Sequence, residues 1–526
     1  MTMTSLPLVL LLSLICVRDA LCILPSTKLF YRLKSNVKLQ SDYNSELVKQ
    51  NEEIIQTSTT TVVEQYFEAY SKSTESSDDK VLRECKLIGS NVLKKTLVPS
   101  RKLEAWRYTN INNLFNVKPD EKNNRCNINY DMIKDHIDVE CLNSYIVILD
   151  GHLFFDLSNT KNIDTSKVKI NNFDDSMLIE KFISVKNIPD INEINRNSFG
   201  SDVISSLNLL NIAGLIHIDV SNNANNMPPI QLLYISTASI NHKFNKLIIS
   251  VSENSNLKLK QSFISINNEN KFNNILINSC TEVNLSNNSN LVHTYIQNLN
   301  NVTNHLEVIN TNVYANSNYD LTILQSGSNI DRINAHITLK ESNANCTLNG
   351  IILADTHQSL DIHSSIIHDA PNCFSRQKQH NIINNNGEAI FKGRIRIPKH
   401  AQFTDSDQQC KTLMLGKNAK LLAMPTLEIT ADNVVCSHGA SVTDLDENSM
   451  FYLQSRGLNR REGKKLLIRS FALSLLENNV VDKKDIDRTI NKIDQMYVND
   501  VLSFSSTDSG GHVDRNVGTD KKYLSL

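Results

Sequence analysis

The segment Cys436-Ser437-His438-Gly439 places a thiol and an imidazole two residues apart. On an extended strand Cys436 and His438 would share one face, and Ser437 would lie on the other. A thiolate beside an imidazole suits iron, zinc or copper, and the pair could also act as nucleophile and base. Two ligands make only half of a tetrahedral site, so a closed site needs residues from elsewhere or from another chain. A buried cysteine beside a hydrogen-bonded histidine is the structural alternative.

A second polar cluster lies between residues 355 and 373. Its members are Asp355, His357, Asp361, His363, His368, Asp369 and Cys373. His357, Asp361 and His363 have the same sequence parity, so an unbroken strand would point them to one face, as in a zinc or iron site. The spacing does not match a helical His-x-x-x-His pair, and a bend in the strand would separate the three side chains. The sequence leaves metal binding and a structural role both open here.

Charge and cysteine spacing argue against several functions. The 526-residue chain has 54 basic and 56 acidic residues, a balance that favours neither nucleic acid nor a membrane surface as a partner. Its ten cysteines include no Cys-x-x-Cys pair, unlike a zinc ribbon, and do not form a disulfide pattern. The sequence has no Gly-x-x-x-x-Gly-Lys-Ser/Thr loop, so we expect any ATP hydrolysis to occur in a partner.

The middle of the chain carries a strong β signal. Through residues 211–450, short apolar runs such as Leu247–Val251 alternate with clusters of Asn, Ser, Asp or Gly. So long a strand-only region favours a parallel β-helix over a sandwich or barrel, because each coil of a solenoid buries its inward side chains on the next. We predict a mainly β fold, with a right-handed parallel β-helix core flanked by a helical N-terminal region and a C-terminal helical domain.

The N-terminal flank, residues 42–210, is predicted to be helical and mixed. Val62, Tyr66 and Tyr70 follow one another at intervals of four, which is helical spacing. Apolar alternation from Tyr145 that ends at Asp150-Gly151 indicates a hairpin.

The C-terminal flank, residues 451–500, is predicted to contain two helices. Asn459 is a candidate N-cap with Glu462 at the third helical position, and Leu467, Phe471 and Leu475 then form an apolar stripe. The second helix is predicted to be capped by Asp482 and to carry an apolar stripe of Ile486, Ile490, Ile493 and Tyr497. Residues 501–526 are polar and are predicted to form a flexible tail.

The first 41 residues have the composition of a two-part targeting leader. Leu6–Val17 is an apolar run followed by the small-x-small pattern Ala20-Leu21-Cys22, so residues 1–22 are predicted to be a signal peptide. Residues 23–41 are basic and contain no acidic residue, as in a transit peptide. Simple secretion is the alternative. No other run is long enough for a transmembrane helix, so we expect no membrane span in the mature protein.

Several motifs, in order along the chain, resemble the SufD family. They are Arg101 with Glu104–Thr109, which holds the only tryptophan; His368 with Pro371 and Ser375–Gln377; Phe391–Gly393; Ala401–Asp405 with Gln408; Thr426–Ala440; and Phe451–Leu458. The resemblance is strongest over residues 361–477. The sister family SufB has acidic residues around the histidine, where this chain has Ser437 and Gly439, so the motifs favour SufD.

The resemblance implies a non-catalytic scaffold subunit of the SUF iron–sulfur cluster assembly complex, located in a plastid or apicoplast. Its implied partners are a SufB-like subunit and a SufC-like ABC ATPase, with a sulfur donor system acting indirectly. A transient iron–sulfur cluster would form at the SufB–SufD interface, with His438 as an iron ligand and Cys436 beside it. Arg456, Leu467, Phe471 and Leu475 would belong to the ATPase docking region. Flavin binding is possible in this family, but no residue pattern here supports it.

Two other functions are compatible with parts of the sequence. A signal peptide followed by a β-helix would suit a secreted enzyme acting on polysaccharide, although we find no convincing carboxylate pair for that chemistry. A metal-dependent hydrolase could be built on His357, Asp361 and His363.

Overall fold

A computed structural model describes residues 62–71, 80–94, 96, 98–117, 128–172, 199–212, 214–237, 239–266, 274–476, 487–488 and 491–494. The predicted leader, the predicted tail and four residues of the predicted second C-terminal helix (Asp482, Ile486, Ile490 and Tyr497) lie outside these ranges.

The described strands form two sheets that coil around a shared interior. They are β1 (Tyr145–Leu149), β2 (His152–Asn159), β3 (Val168–Asn172), β4 (Gly214–Val220), β5 (Ile230–Ser236), β6 (His242–Val251), β7 (Asn256–Ser265), β8 (Ile275–Leu285), β9 (Asn290–Asn298), β10 (Thr303–Val313), β11 (Asn318–Ser326), β12 (Ile330–Leu339), β13 (Asn345–Ala354), β14 (Ser359–His368), β15 (Phe374–Ile383), β16 (Glu388–Ile397), β17 (Thr404–Met414), β18 (Lys420–Ile429) and β19 (Val434–Thr443). The order is β19-β17-β15-β13-β11-β9-β7-β5-β1-β2 in sheet A and β18-β16-β14-β12-β10-β8-β6-β4-β3 in sheet B. Successive strands alternate between the sheets and pair in parallel from β4 and β5 onward, which gives about eight coils. The predicted parallel β-helix is confirmed, and its right-handed sense stays a prediction.

Asparagine takes the strained position at many of the corners between strands. Asn254, Asn288, Asn316, Asn343 and Asn372 all have φ between 55° and 62°. These positions recur at intervals of 34, 28, 27 and 29 residues, about one coil each. Asparagine tolerates this left-handed backbone better than most residues because its short amide side chain can bond locally. Asparagine thus has a structural role at these corners.

Helices cover the outer faces of both sheets. The α-helices are α1 (Val62–Ser71), α2 (Lys80–Leu93), α3 (Ile111–Phe115), α4 (Tyr130–Ile133), α5 (Ser201–Asn211), α6 (Glu447–Ser455) and α7 (Arg460–Leu476), and short 3₁₀ helices span Glu104–Trp106, Lys134–His136 and Val139–Cys141. Side chains of α1, α3 and α5 join one apolar cluster with outward residues of β8, β10 and β12 in sheet B. Ile468, Ala472 and Leu475 of α7 pack instead on outward residues of sheet A. No helix among the described residues is both long and apolar enough to cross a membrane.

The two ends of the β-helix differ. At the N-terminal end, β2 pairs antiparallel with β1, and β3 pairs antiparallel with β4. The predicted hairpin is therefore confirmed, with Asp150 and Gly151 at positive φ in its turn. At the C-terminal end, β18 and β19 are the last strands of their sheets, and most of their residues are exposed or half-buried. The described chain thus ends in antiparallel edge strands, β2 and β3, at one end and in parallel edge strands, β18 and β19, at the other.

Candidate functional site

Cys436 and His438 lie on β19, at the open end of the β-helix. Cys436 is half-buried and packs against the interior apolar cluster, while the Ser437 hydroxyl donates a hydrogen bond outside to the Asp407 carboxylate. The structure therefore places Cys436 and Ser437 on opposite faces, as the strand periodicity predicts. His438 is exposed and lies on the Cys436 face by the same alternation.

Buried polar side chains continue inward from this pair. Cys436 is in register with Ser406, whose hydroxyl lies 2.7 Å from the Ser375 hydroxyl, and Ser375 lies 2.9 Å from His368 Nε2. Burial lowers the pKa of His368 to about 4, so this imidazole is neutral near pH 7. The interior beneath Cys436 therefore contains a hydrogen-bonded chain beside the apolar cluster.

A parallel arrangement lies beneath His438. This residue is in register with Gln408, which donates through Nε2 to Gln377 Oε1 at 2.7 Å. Gln377 in turn donates to the Ser364 hydroxyl at 2.6 Å. All three of these supporting residues are fully buried. These bonds hold the strand beneath His438 in a fixed arrangement.

The thiol of Cys436 is protonated near neutral pH. Its pKa is raised, chiefly by burial and further by Asp405, while a hydrogen bond with the Ser406 backbone acts in the opposite direction. A metal ion that binds here would have to displace the thiol proton. Among the described residues, no group of three or more His, Cys, Asp and Glu side chains is placed to hold a metal ion. Cys436 and His438 thus have no third His, Cys, Asp or Glu ligand among the described residues of this chain.

The polar cluster from 355 to 373 is divided by the fold. His357 lies exposed in a corner at φ 63°, outside β14, while Asp361 and His363 are buried on that strand. His363 Nε2 lies 2.8 Å from Asp361 Oδ1. The prediction of a shared face holds for Asp361 and His363 only. His357 lies in the corner that precedes β14, so the alternation along that strand does not include it. No observation favours a metal-dependent hydrolase built on the three residues.

Asp361 and His363 belong to a buried cluster around Arg332, which the sequence analysis missed. The Arg332 guanidinium donates to the Thr109 hydroxyl at 3.0 Å and lies 3.1 Å from His363 Nδ1. Its central carbon lies 4.3 Å from the centre of the Trp106 ring. Arg332 and Asp361 are register partners 29 residues apart, about one coil, and the variable length of the coils hides this pairing in the sequence.

The tryptophan motif attaches the N-terminal region to sheet B. Trp106 is 1% exposed, and a side chain at Gly200, which has φ +77°, would meet the Trp106 ring at 2.6 Å. Glu104 Oε1 lies 2.6 Å from Lys392 Nζ of β16. The motif that carries part of the family resemblance therefore has a structural role in this chain.

The predicted docking residues differ in accessibility. Arg456 is exposed at the end of α6, where it stacks on the Tyr452 ring, and Leu467 and Phe471 are half-buried. Leu475 is 3% exposed and packs on the chain's own β-helix. Leu475 therefore anchors α7 on sheet A, and its side chain is not available to a partner in this arrangement.

Residues 234–471 match the family model of the SUF system FeS cluster assembly, SufBD core domain. The β-helix and this match together support a role in iron–sulfur cluster assembly. The predicted resemblance of the chain to SufD is confirmed.

Proteins named SufD and a chloroplast protein are among its relatives. The chain is 27% identical over 403 residues to Protein ABCI7, chloroplastic, from Arabidopsis thaliana, which covers 74% of this chain and 80% of the relative. It is 24% identical over 398 residues to iron-sulfur cluster assembly protein SufD from Escherichia coli K12, or 73% of this chain and 86% of the relative. A shorter match, 28% over 251 residues, links 47% of this chain to 17% of SufD from Plasmodium falciparum.

Proposed function

We propose that the chain is a non-catalytic scaffold subunit that pairs with a SufB-like subunit through the open end of its β-helix. The observation that carries this proposal is that β18 and β19, the last strands of their sheets in the described chain, each leave one parallel edge unpaired beside Cys436 and His438. Such edges present unpaired backbone donors and acceptors, which a partner strand can satisfy. A second β-helix that ends in the same way would extend both sheets at once.

Gly439 gives further support for an approach at this end. It lies on the exposed strand β19, and a Cβ added to it would meet no atom within 4 Å. This chain alone thus has no steric need for glycine there, and glycine in a strand often marks close approach of another backbone. A partner that crosses the strand beside His438 would provide the reason.

The same surface supports transient assembly of an iron–sulfur cluster, which is the cargo of the complex. Stable clusters are held by cysteine thiolates, commonly four of them. Cys436 and His438 would contribute one thiolate and one imidazole, and the SufB-like subunit would contribute the rest. Ligands divided between two chains and mixed in type suit a site that must release its product.

The C-terminal helices are the proposed dock for a SufC-like ATPase. Phe451, Tyr452 and Leu466 are 73%, 57% and 48% exposed on α6 and α7. Apolar side chains this exposed are suited to contact a partner. Arg456 lies at the end of α6 beside Tyr452, where it can pair with an acidic group. ATP hydrolysis would then occur in the partner, and the sulfur donor would act through the assembled complex.

We place the protein in a plastid, reached by the signal peptide of residues 1–22 and the transit segment of residues 23–41. The chloroplast name of the Arabidopsis relative supports this location. A fluorescent protein fused to residues 1–41 is expected to enter the plastid of a cell with a secondary plastid, and a fusion to residues 1–22 is expected to be secreted. Secretion of both fusions would contradict the transit assignment.

The pairing is tested by anaerobic co-expression of the tagged chain with SufB-like and SufC-like subunits. We expect all three to co-purify, and Gly439→Val to reduce recovery of the SufB-like subunit without lowering the Tm of the isolated chain. Lys258→Val, at an exposed position on the inner strand β7, is the matched control. Failure of the wild-type chain to co-purify with the SufB-like subunit, or undiminished pairing by Gly439→Val, would contradict an interface at β19.

A further inference from the structure

A cavity of about 260 Å³ lies on the outer face of sheet A, far along the sheet from β19. Its floor is apolar and consists of outward side chains from β9, β11 and β13, namely Ile296, Leu324, Ile351 and Leu353. Its polar lining includes Asn298, Ser326, Arg488, Asn491 and Lys492. The buried side chain of Ile493 joins the apolar cluster of sheet A and fixes residues 491–494 beside this floor.

Two cations line the cavity. Arg488 and Lys492 both line the cavity from short helical segments, residues 487–488 and 491–494. Lys492 Nζ donates to the Ser326 hydroxyl at 3.0 Å, and within the described ranges no carboxylate oxygen lies within ion-pair distance of Lys492. Burial lowers the pKa of Lys492 to about 8, so its charged form lacks the stabilisation that an adjacent anion would give.

Arg488 has a carboxylate nearby, but that carboxylate is shared. Arg488 Nη1 lies 3.6 Å from Asp138 Oδ1, and Asp138 Oδ2 also pairs with Lys260. Asp138 thus lies near both Arg488 and Lys260. The polar side of the cavity presents the amine of Lys492 and the guanidinium of Arg488 opposite an apolar floor.

We propose that this cavity binds a small organic anion, in which a carboxylate meets Lys492 and Arg488 and an aliphatic body lies on Leu324, Ile351 and Leu353. The volume lies just below the range of about 300–1,000 Å³ that drug-sized ligands occupy, so a compact metabolite-sized acid fits. This inference is independent of the proposed interface, because none of these residues belongs to β18 or β19.

Calorimetric titration of the full chain with hexanoate tests the proposal, with 1-hexanol as the uncharged analogue and inorganic phosphate as the anion without an apolar body. We expect hexanoate to bind, and hexanol and phosphate to bind at least about tenfold more weakly, because hexanol lacks the negative charge and phosphate lacks the apolar body. Lys492→Met keeps the length and apolar stem of the side chain and is expected to weaken hexanoate binding about tenfold. Lys258→Met, at an exposed site on β7, is expected to leave binding unchanged.

Several results would overturn the proposal: no binding of hexanoate, equal binding of hexanoate and hexanol, equal binding of phosphate, or equal binding by the wild type and Lys492→Met. If Lys492→Met lowers the Tm of the chain, Arg488→Met replaces it in the titration and is expected to show the same loss. Unchanged binding by Arg488→Met would then contradict a site formed by the two cations.

Discussion

Arg332 is a fully buried cation with several polar contacts, and it holds the N-terminal region on sheet B. It bonds Thr109 and the Phe199 carbonyl, faces Asp361 and lies against the Trp106 ring. We expect Arg332→Met to lower the free energy of unfolding by about 3–5 kcal/mol, because Asp361 would stay buried without its guanidinium. Chemical denaturation measures this change.

Arg376 offers the matched control for that substitution. It pairs with Asp405 at 2.8 Å, but the two side chains are 31% and 45% exposed. Solvent screens such a pair, so Arg376→Met should cost below about 1 kcal/mol. Equal effects of the two substitutions would contradict a special role for the Arg332 cluster.

His293 predicts a loss of stability on acidification. It is fully buried between Tyr319 and Gln261, and burial lowers its pKa from 6.5 to about 3. The unfolded chain therefore takes up a proton at this residue before the folded chain does, and stability falls as pH drops from 6.5 towards 3. His293→Gln should remove up to roughly 1.4 kcal/mol per pH unit from this slope. Denaturation curves across that pH range measure it, and an unchanged slope would show that His293 does not titrate in this way.

At the scale of elements, the start of α7 was predictable in detail. Glu462 N donates to Asn459 Oδ1 at 2.9 Å, and Asn459 N donates to Glu462 Oε2 at 3.2 Å, which is the predicted reciprocal cap. Asn459→Ala should lower the Tm, with a cost of about 1 kcal/mol in the free energy of unfolding. Glu462→Gln, which keeps an acceptor, should have a much smaller effect in the same thermal melt. An unchanged Tm in Asn459→Ala would contradict a stabilising role for this cap.

Local signals explain why some elements were predictable and others were not. The helix cap, the turn at Asp150-Gly151 and the opposite faces of Cys436 and Ser437 each depend on residues a few positions apart. Arg332 and Asp361, by contrast, meet only because one coil separates them, and that coil varies in length between corners. Without a fixed period, the sequence could not show which strands are neighbours.

At the scale of the molecule, the two ends of the β-helix explain the proposed role. The N-terminal end finishes in the antiparallel strands β2 and β3, whereas the other end finishes in the parallel strands β18 and β19, beside Cys436 and His438. The β-helix itself was predictable from the long strand-rich region. The exposure of its last coil was not, because strand patterns do not show where a sheet stops pairing.

The most direct test of the central claim is to measure iron and acid-labile sulfide in the complex with SufB-like and SufC-like subunits, purified anaerobically. We predict that His438→Ala leaves the complex assembled, because the His438 side chain is exposed, but strongly lowers both iron and sulfide. His357→Ala, which removes an exposed histidine from a distant corner, should leave both unchanged. Wild-type amounts of iron and sulfide in the His438→Ala complex would contradict a role for this open end in cluster assembly.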